Sequence, residues 1–240
     1  MKKGPIPQAQ PFIKWAGGKG QLLSTFQKFY PKSLKTGKIK YYVEPFVGGG
    51  AVLFDVLQRF PIGKAIIIDI NHNLINTYLT IKHHVNHMIT LLQKIEYDYI
   101  SQDVNDRKKI YYNIRKTFNS RQIHNNQVDI EKAAWFIFLN KTCFNGLYRV
   151  NKSGKFNVPF GDYKNPTICD DKNLIAVSML LNKVKILHGD FKKAANYIDS
   201  KTFVYFDPPY RPLNETSGFT SYSRQDFNDD SQAILADFYK

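Results

Sequence analysis

The chain has 240 residues, of which 43% are hydrophobic and 15% aromatic, enough to bury a core and too many for a disordered chain. No apolar run reaches the roughly 18 residues of a membrane span, and the amino terminus lacks the apolar segment of a secretory signal. The two cysteines, Cys143 and Cys169, are too few for a disulfide scaffold and lack zinc-site spacing. We therefore expect a globular, cytoplasmic protein without a membrane partner.

Positive charge is concentrated in the first half of the chain. Lys and Arg number 34, Asp and Glu number 20, and the net charge is +14. Residues 1–120 hold 18 bases and 7 acids, and residues 1–40 hold nine lysines and no acid. A basic half indicates a polyanionic partner, most simply nucleic acid. A lysine-rich composition from an AT-rich genome would give the same excess, so charge alone leaves both explanations open.

The first third of the chain shows the alternation of strands and helices that is typical of an α/β fold. The run at 64–70 is almost continuously β-branched, as expected for a buried parallel strand. The pattern predicts helices over residues 21–30, 51–60 and 73–92 and strands over residues 40–43 and 64–70. A glycine turn at 48–50 follows the first strand and precedes the second helix.

The middle of the chain interrupts this alternation. Two helices are predicted over residues 96–118 and 130–140, and a polar, aromatic stretch follows at 141–166. A further helix is predicted at 172–182, and two short strands at 184–187 and 203–206. Since the α/β pattern returns only near residue 183, the sequence favours an α/β domain that contains an inserted module.

The most specific signal in the chain is Asp207-Pro208-Pro209-Tyr210, directly after the strand predicted at 203–206. In open α/β sheets, sites form at the carboxyl ends of strands. The alternative interpretation is a proline-rich turn that only ends the strand.

This quartet suits the chemistry of an exocyclic amino group on a nucleobase, whose lone pair is delocalised into the ring. The Asp207 carboxylate and the Pro208 carbonyl can accept its two N–H groups, which frees the lone pair for attack. Proline rings at Pro208 and Pro209 fix the direction of the backbone, and Tyr210 offers a flat face for an extruded base. The quartet therefore predicts catalysis on a flipped base.

A glycine turn follows the first predicted strand, at Phe46-Val47-Gly48-Gly49-Gly50. Gly48 and Gly50 fit the first two positions of a dinucleotide-binding motif, but Leu53 occupies the third. Asp69 lies 19 residues after Gly50, near the spacing at which an acid binds ribose hydroxyls. The alternative is an ordinary turn with an Asp cap.

Three weaker patterns are also present. Trp15 and Lys19 flank a glycine pair that could hold a small carboxylate ligand, although the spacing alone favours a buried anchor Trp beside a solvated Lys. His83, His84 and His87 have helical ligand spacing, but no thiol or carboxylate lies near them to complete a metal site, so we expect a solvated helix face. Cys143 lacks an evident base and is expected to be structural.

The polar stretch at 141–164 joins aromatic residues, amides, five bases and one acid. Arg and Asn are the side chains that read guanine and adenine edges. The stretch is therefore either a base-reading loop or an ordinary polar hairpin.

Taken in order, these motifs resemble the Dam-type DNA adenine-N6 methyltransferases, and most closely the GATC-specific enzymes of restriction-modification systems. The resemblance covers nearly the whole chain. Its motifs are PFIKWAGGK, YVEPFVGGGAVLF, IIIDINHNLINTY, CFNGLYRVN, FNVPFG and VYFDPPYRPLNETSGFTSY.

The resemblance implies S-adenosylmethionine as methyl donor, no metal, and a flipped adenine in duplex DNA as substrate. It implies a Rossmann-like α/β methyltransferase sheet formed by residues 1–81 and 176–240, with a mostly helical target-recognition insertion at 82–175. By the same resemblance, the cofactor-binding residues are Trp15, Lys19, Phe46, Gly48, Gly50, Asp69 and Asp207. The catalytic residues are Asp207, Pro208, Pro209 and Tyr210. The DNA-binding residues are Lys14, Asn145, Leu147, Arg149, Pro159 and Tyr163.

Two expectations concern the carboxyl-terminal part of the chain. The segment 213–222 resembles a loop that becomes ordered around DNA. The family's sheet has about seven strands, whereas only four are evident before Lys240, so we expect the carboxyl-terminal strands to be missing from this chain. The main prediction is a monomeric GATC methyltransferase that works alongside a restriction endonuclease. The alternatives are a catalytically impaired DNA-binding relative and a methyltransferase that acts on RNA or protein.

Overall fold

The computed structural model describes residues 8–123, 127–210 and 227–239. The segment 213–222 therefore lies outside the described residues. Four strands form one parallel sheet in the order β3-β2-β1-β4. They are β1 (Tyr41–Glu44), β2 (Lys64–Asp69), β3 (Val184–His188) and β4 (Thr202–Val204). All four lie where the sequence predicts strands, and the α/β fold class is confirmed.

Eight α-helices surround or extend this sheet within the described ranges. They are α1 (Leu23–Phe29), α2 (Lys32–Lys35), α3 (Ala51–Arg59), α4 (His72–Ile100), α5 (Val104–Ser120), α6 (Ile130–Thr142), α7 (Asp171–Leu181) and α8 (Asp229–Tyr239). Short 3-10 turns occur at Gly20–Leu22, Phe144–Gly146 and Phe191–Tyr197. None of the helices in these ranges combines the length and apolar character needed to cross a membrane.

The predicted boundary between the two long middle helices is wrong. The sequence pattern ends the first helix at residue 92 and begins the second at 96, whereas α4 runs to Ile100 and α5 begins at Val104. Asp103 sets the true start, because its carboxylate accepts the backbone N–H groups of Asn105 and Asp106. The chain instead bends inside α4, at His84, where φ is −137° and ψ is 31°.

The two central strands, β1 and β2, are buried on both faces along most of their length, as expected for a parallel sheet, whereas β3 and β4 are only partly buried. On one face, Ile67 joins the main core with α4, α6 and α7. On the other face, Ile66 and Ile68 form a smaller core with Val43 and Ala194. The strands are thereby held rigidly, and their carboxyl ends become a fixed platform.

The main core continues without interruption from the sheet into the middle of the chain. Helix α4 crosses the predicted limit at residues 81 and 82, and α6 packs along it. Tyr111 and Phe138 belong to the same buried cluster as Ile67. The division into a catalytic domain and an insertion at 82–175 remains a prediction.

Candidate active site

A cleft of about 940 Å³ lies at the carboxyl ends of the strands. It brings together thirteen of the residues singled out from the sequence. They are Lys14, Trp15, Lys19, Phe46, Gly48, Gly50, Asp69, Asn145, Leu147, Asp207, Pro208, Pro209 and Tyr210. Residues that are up to 196 positions apart in the chain (14 and 210) therefore share one cavity.

The glycine turn after β1 forms one wall of this cleft, and its backbone leaves no space for side chains. Gly48 and Gly50 have positive φ values of 47° and 75°. A Cβ atom on Gly48 would lie 2.7 Å from the Trp15 ring, and one on Gly50 would lie 2.5 Å from the Tyr78 hydroxyl. Glycine is required here because the conformation and the close packing both exclude a side chain.

Asp69, at the end of β2, fixes the same turn. Its Oδ2 accepts the Gly48 N–H at 3.0 Å and its Oδ1 accepts the Asn71 N–H at 2.8 Å. Burial raises the pKa of Asp69 above its ordinary value, although these N–H donors oppose the shift. Each carboxylate oxygen can accept more than one hydrogen bond, so the group keeps capacity for ligand hydroxyls.

Asp207 is held by two partners on the opposite wall. Lys19 Nζ lies 2.5 Å from its Oδ2, and the Tyr210 hydroxyl donates to its Oδ1 at 3.0 Å. Burial lowers the pKa of Lys19, but the hydrogen bonds and charges of Asp207 and Tyr210 outweigh burial and raise it. Lys19 also donates to the Gly17 carbonyl, which anchors it to the glycine pair. The Tyr210 side chain is 69% exposed, so its ring face is available for stacking.

Trp15 connects the glycine turn to the polar stretch of the middle segment. Its ring stacks on Tyr148 with the centroids 5.2 Å apart and the planes 16° from parallel. Tyr148 is buried and lies between Leu147 and Arg149 in the chain. The polar stretch is therefore packed directly against the wall of the cleft rather than projecting away from it.

Asn140 joins Lys14 to the same stretch through a set of backbone contacts. Its side chain accepts the Lys14 N–H at 2.8 Å and donates to the carbonyls of Lys14 and Gly146. Lys14 and Tyr163 also line a second, smaller cavity of about 250 Å³. Arg149 and Pro159 line neither of these two cavities, and Arg149 donates to Asn157 at 2.8 Å.

Sequence reasoning missed four residues that line or support the cleft: Glu44, Tyr148, Asp190 and Phe191. Glu44 ends β1 and is 2% exposed. Burial, with the charges of Asp207 and Asp69, raises the pKa of Glu44 to about 8 against the opposing hydrogen bonds of Tyr42 and the Leu53 N–H. A usable signal was present, because each strand ends in an acid or is followed by one within three residues. These acids are Glu44, Asp69, Asp190 and Asp207.

The surroundings of two weaker motifs, the cysteine and the possible metal ligands, do not favour a chemical role. Cys143 is buried, its Sγ lies 3.1 Å from the Leu147 carbonyl, and burial raises its pKa to about 12. A thiol in this state is not a nucleophile. Across the described ranges, no group of three or more His, Cys, Asp or Glu side chains is arranged to hold a metal ion.

Comparison with known proteins gives a consistent result. Residues 15–240 match the profile of the D12 class N6 adenine-specific DNA methyltransferases. The type II methyltransferase M.MjaIII of Methanocaldococcus jannaschii is 54% identical over 97% of this chain and 80% of its own length. The type II methyltransferase M1.LlaDCHI of Lactococcus lactis is 40% identical over 96% of this chain and 76% of its own length. The DNA adenine methylase of Haemophilus influenzae is 34% identical over 98% of this chain and 76% of its own length. The chain therefore belongs to the D12 class N6 adenine-specific DNA methyltransferase family.

Proposed function

We propose that this protein transfers a methyl group from S-adenosylmethionine to N6 of an adenine flipped out of duplex DNA, within GATC. The observation that carries the proposal is the position of Asp207. Its carboxylate is held by Lys19 and Tyr210 in the same cleft as the glycine turn and Asp69. A base-binding group and a nucleotide-type turn thus face one cavity.

The volume of the cleft and the acids that line it support the proposed cofactor. Its volume is at the upper end of the range for small-ligand sites, which leaves room for a cofactor and a base. S-adenosylmethionine supplies a methyl group that its positively charged sulfur makes electrophilic, so the acids at the strand ends suit it. The proposed contacts are Trp15, Lys19, Phe46, Gly48, Gly50, Asp69 and Asp207, with Lys19 toward the carboxylate of the methionine part.

Asp207 and Pro208 would hold the adenine amino group while Tyr210 stacks on the base. Because Lys19 and Tyr210 already orient both Asp207 oxygens, the carboxylate is preorganised before the base arrives. Both oxygens keep lone pairs that can accept an N–H of the amino group. Catalysis then consists of positioning the nitrogen in line with the methyl group and accepting its hydrogen bonds.

Sequence recognition would come from the insertion proposed at 82–175. The Trp15–Tyr148 stack and the contacts of Asn140 place its polar stretch beside the cleft. The proposed DNA contacts are Lys14, Asn145, Leu147, Arg149, Pro159 and Tyr163. Arg149 would exchange its hydrogen bond to Asn157 for one to a base edge.

The biological role follows from the named relatives. Two of them are type II methyltransferases, so we propose that methylation by this protein protects DNA in the cytoplasm from a cognate restriction endonuclease. We propose that the active form is a monomer.

The test measures transfer of labelled methyl from S-adenosylmethionine to a duplex with GATC and to a matched duplex with GTTC. We expect labelling of GATC alone. Asp207→Asn removes the charge that holds the amino group and should slow transfer by about a thousand-fold. Asp98→Asn, on the exposed surface of α4, is the matched control and should transfer at the wild-type rate.

Each other outcome has a distinct meaning. Equal labelling of both duplexes would retain the activity and refute the GATC assignment. A folded protein that binds duplex DNA without labelling it would instead be the catalytically impaired relative. Labelling of RNA in preference to duplex DNA would refute the proposed substrate.

A further inference from the structure

Every strand of the described sheet starts at a lysine. Lys40, Lys183 and Lys201 directly precede β1, β3 and β4, and Lys64 opens β2. Because the strands are parallel, these residues lie together at the edge opposite the cleft, called here the amino edge. Backbone bonds join them, since Lys40 N–H donates to the Lys201 carbonyl at 3.0 Å and the Lys40 carbonyl accepts the Gly63 N–H at 3.0 Å.

Helix α2 and the turn after it contain three exposed lysines, of which Lys35 and Lys38 are assigned here to this edge. Lys38 N–H donates to the Ser33 carbonyl, and Gly37 lies against Pro61, just before β2. The exposed lysines of the edge are defined here as the amino-edge patch: Lys35, Lys38, Lys40, Lys64 and Lys201. Within the described residues, none of these five forms an ion pair.

Charge is sorted along the strands rather than spread over them. The segments that lead into the strands (32–41, 60–64, 182–184 and 199–202) contain seven lysines and one acid, Asp199. The segments that follow them (44–50, 69–71, 189–190 and 205–210) contain four acids and no Lys or Arg, although Lys14, Lys19 and Lys192 also line the cleft. The cleft therefore combines acidic and basic side chains, whereas the segments at the amino edge hold seven lysines and a single acid.

The patch lies beyond the electrostatic reach of the cleft. From Lys64 to Asp69 the chain advances five residues, or about 17 Å in an extended strand. That exceeds the Debye length of about 8 Å at physiological salt, so the patch adds little to the field at the cleft. Of the basic residues in 1–40, Lys14 and Lys19 line the cleft, whereas Lys35, Lys38 and Lys40 do not.

We propose that the amino-edge patch binds the phosphate backbone of a second duplex DNA segment while the cleft holds the target segment. Lysines on neighbouring strands about 4.8 Å apart present a row of point charges, and duplex DNA presents one phosphate for roughly every 1.7 Å of its axis. The patch contains no arginine fork or amide to read bases, so binding there is independent of sequence. The inference goes beyond methyl transfer, because it assigns a second site with which the protein bridges two segments.

The test is a bridging assay with the full chain. A GATC duplex is immobilised, protein is added, and capture of a second, fluorescent duplex without GATC is measured against salt. The patch variant carries Lys35→Gln, Lys38→Gln, Lys64→Gln and Lys201→Gln. The charge-matched control carries Lys94→Gln, Lys108→Gln, Lys116→Gln and Lys172→Gln, all exposed and on helices away from the amino edge. Because these four lysines lie in the insertion proposed at 82–175, capture of the second duplex is divided by the amount of protein that the immobilised GATC duplex retains.

We expect wild type and control to bridge, and capture by the patch variant to fall at least ten-fold. The slope of log affinity against log salt for the second duplex should drop by about 3.6, since each lost phosphate contact removes about 0.9. Single-turnover methylation of a short GATC duplex should be the same in wild type and patch variant, which separates this site from the cleft.

Three results would overturn the proposal: no bridging by wild type, equal loss in patch variant and control, or capture of an acidic polypeptide but not of the second duplex. Loss of methylation with retained, patch-dependent bridging would refute the proposed function and leave the second site standing.

Discussion

The carboxyl and amino edges of the parallel sheet differ in how their charged side chains are held. At the carboxyl edge, Glu44 and Asp69 are buried or hydrogen-bonded, Asp207 is ion-paired, and the glycine turn is packed against Trp15 and Tyr78. At the amino edge, the lysines of the patch are exposed and lack such contacts among the described residues. An edge that orients one small ligand needs fixed groups, whereas an edge that attracts a polyanion needs only unpaired charge.

A glycine substitution at each edge tests this difference in packing and gives the largest expected effect on stability. Gly50→Ala places a Cβ 2.5 Å from the Tyr78 hydroxyl and forces a side chain into a φ of 75°. We expect the free energy of unfolding to fall by about 3 kcal/mol, from the left-handed backbone and the displaced Tyr78. Gly63→Ala meets only the Lys40 carbonyl at 3.7 Å and should cost less than about 0.5 kcal/mol.

Urea unfolding followed by circular dichroism measures both variants under the same conditions. Equal losses at the two glycines would show that the turn is not the tightly packed element the structure describes.

A lysine substitution at each edge compares the two uses of positive charge. Lys19→Gln removes the ion pair that orients Asp207, and we expect the single-turnover rate of methyl transfer to fall by about a hundred-fold. Lys64→Gln removes an exposed charge of the amino-edge patch, and the same rate on a short duplex should not change. A similar fall in both variants would contradict the separation of the edges.

The carboxyl edge should also make stability depend on pH. Burial raises the pKa of Glu44 from 4.5 to about 8, so between these values the folded protein keeps a proton that the unfolded chain has lost. The free energy of unfolding should therefore fall as pH rises from about 4.5 to 8, by up to about 1.4 kcal/mol per pH unit. Glu44→Gln removes this group, so its stability relative to wild type should rise with pH and reach a gain of about 2 kcal/mol by pH 6, about 1.5 pH units above 4.5.

Urea unfolding at pH 5, 6, 7 and 8 checks the slope, with the exposed Asp98→Asn as control. A wild-type slope that survives in Glu44→Gln would assign the pH dependence to another group.

Local sequence patterns predicted the strands because each one contains a short apolar run, and in β2 the run at 66–68 is buried on both faces. They also predicted that Asp207 and the glycine turn belong to a site, because both follow strands and parallel strands end at one edge. They did not predict the start of α5, which depends on the Asp103 side chain rather than on hydrophobic periodicity.

The contacts that assemble the site were beyond local patterns, because they join distant parts of the chain. The stack of Trp15 on Tyr148 spans 133 positions (15 to 148), and the Lys19–Asp207 pair spans 188 (19 to 207). Glu44 was missed for a different reason. Its position before Pro45 indicates only that the strand ends there. The recurrence of an acid is visible only when the ends of the four strands are compared with one another.

The smallest expected effect separates one lysine of the amino edge from the others. Lys183 Nζ donates to the carbonyls of Leu57 and Ile62 at 3.2 and 3.3 Å, and burial lowers its pKa. Lys183→Met leaves these two carbonyls without that donor and should lower the free energy of unfolding by about 1 kcal/mol. Lys64→Met should change it by less than about 0.5 kcal/mol, because its side chain is exposed. In the bridging assay the order should reverse, with capture of the second duplex weakened by Lys64→Met and retained by Lys183→Met. If Lys183→Met weakened bridging as much as Lys64→Met, the patch would extend along all four strands. Hydrogen bonds to backbone carbonyls would then not prevent a lysine from binding the second duplex.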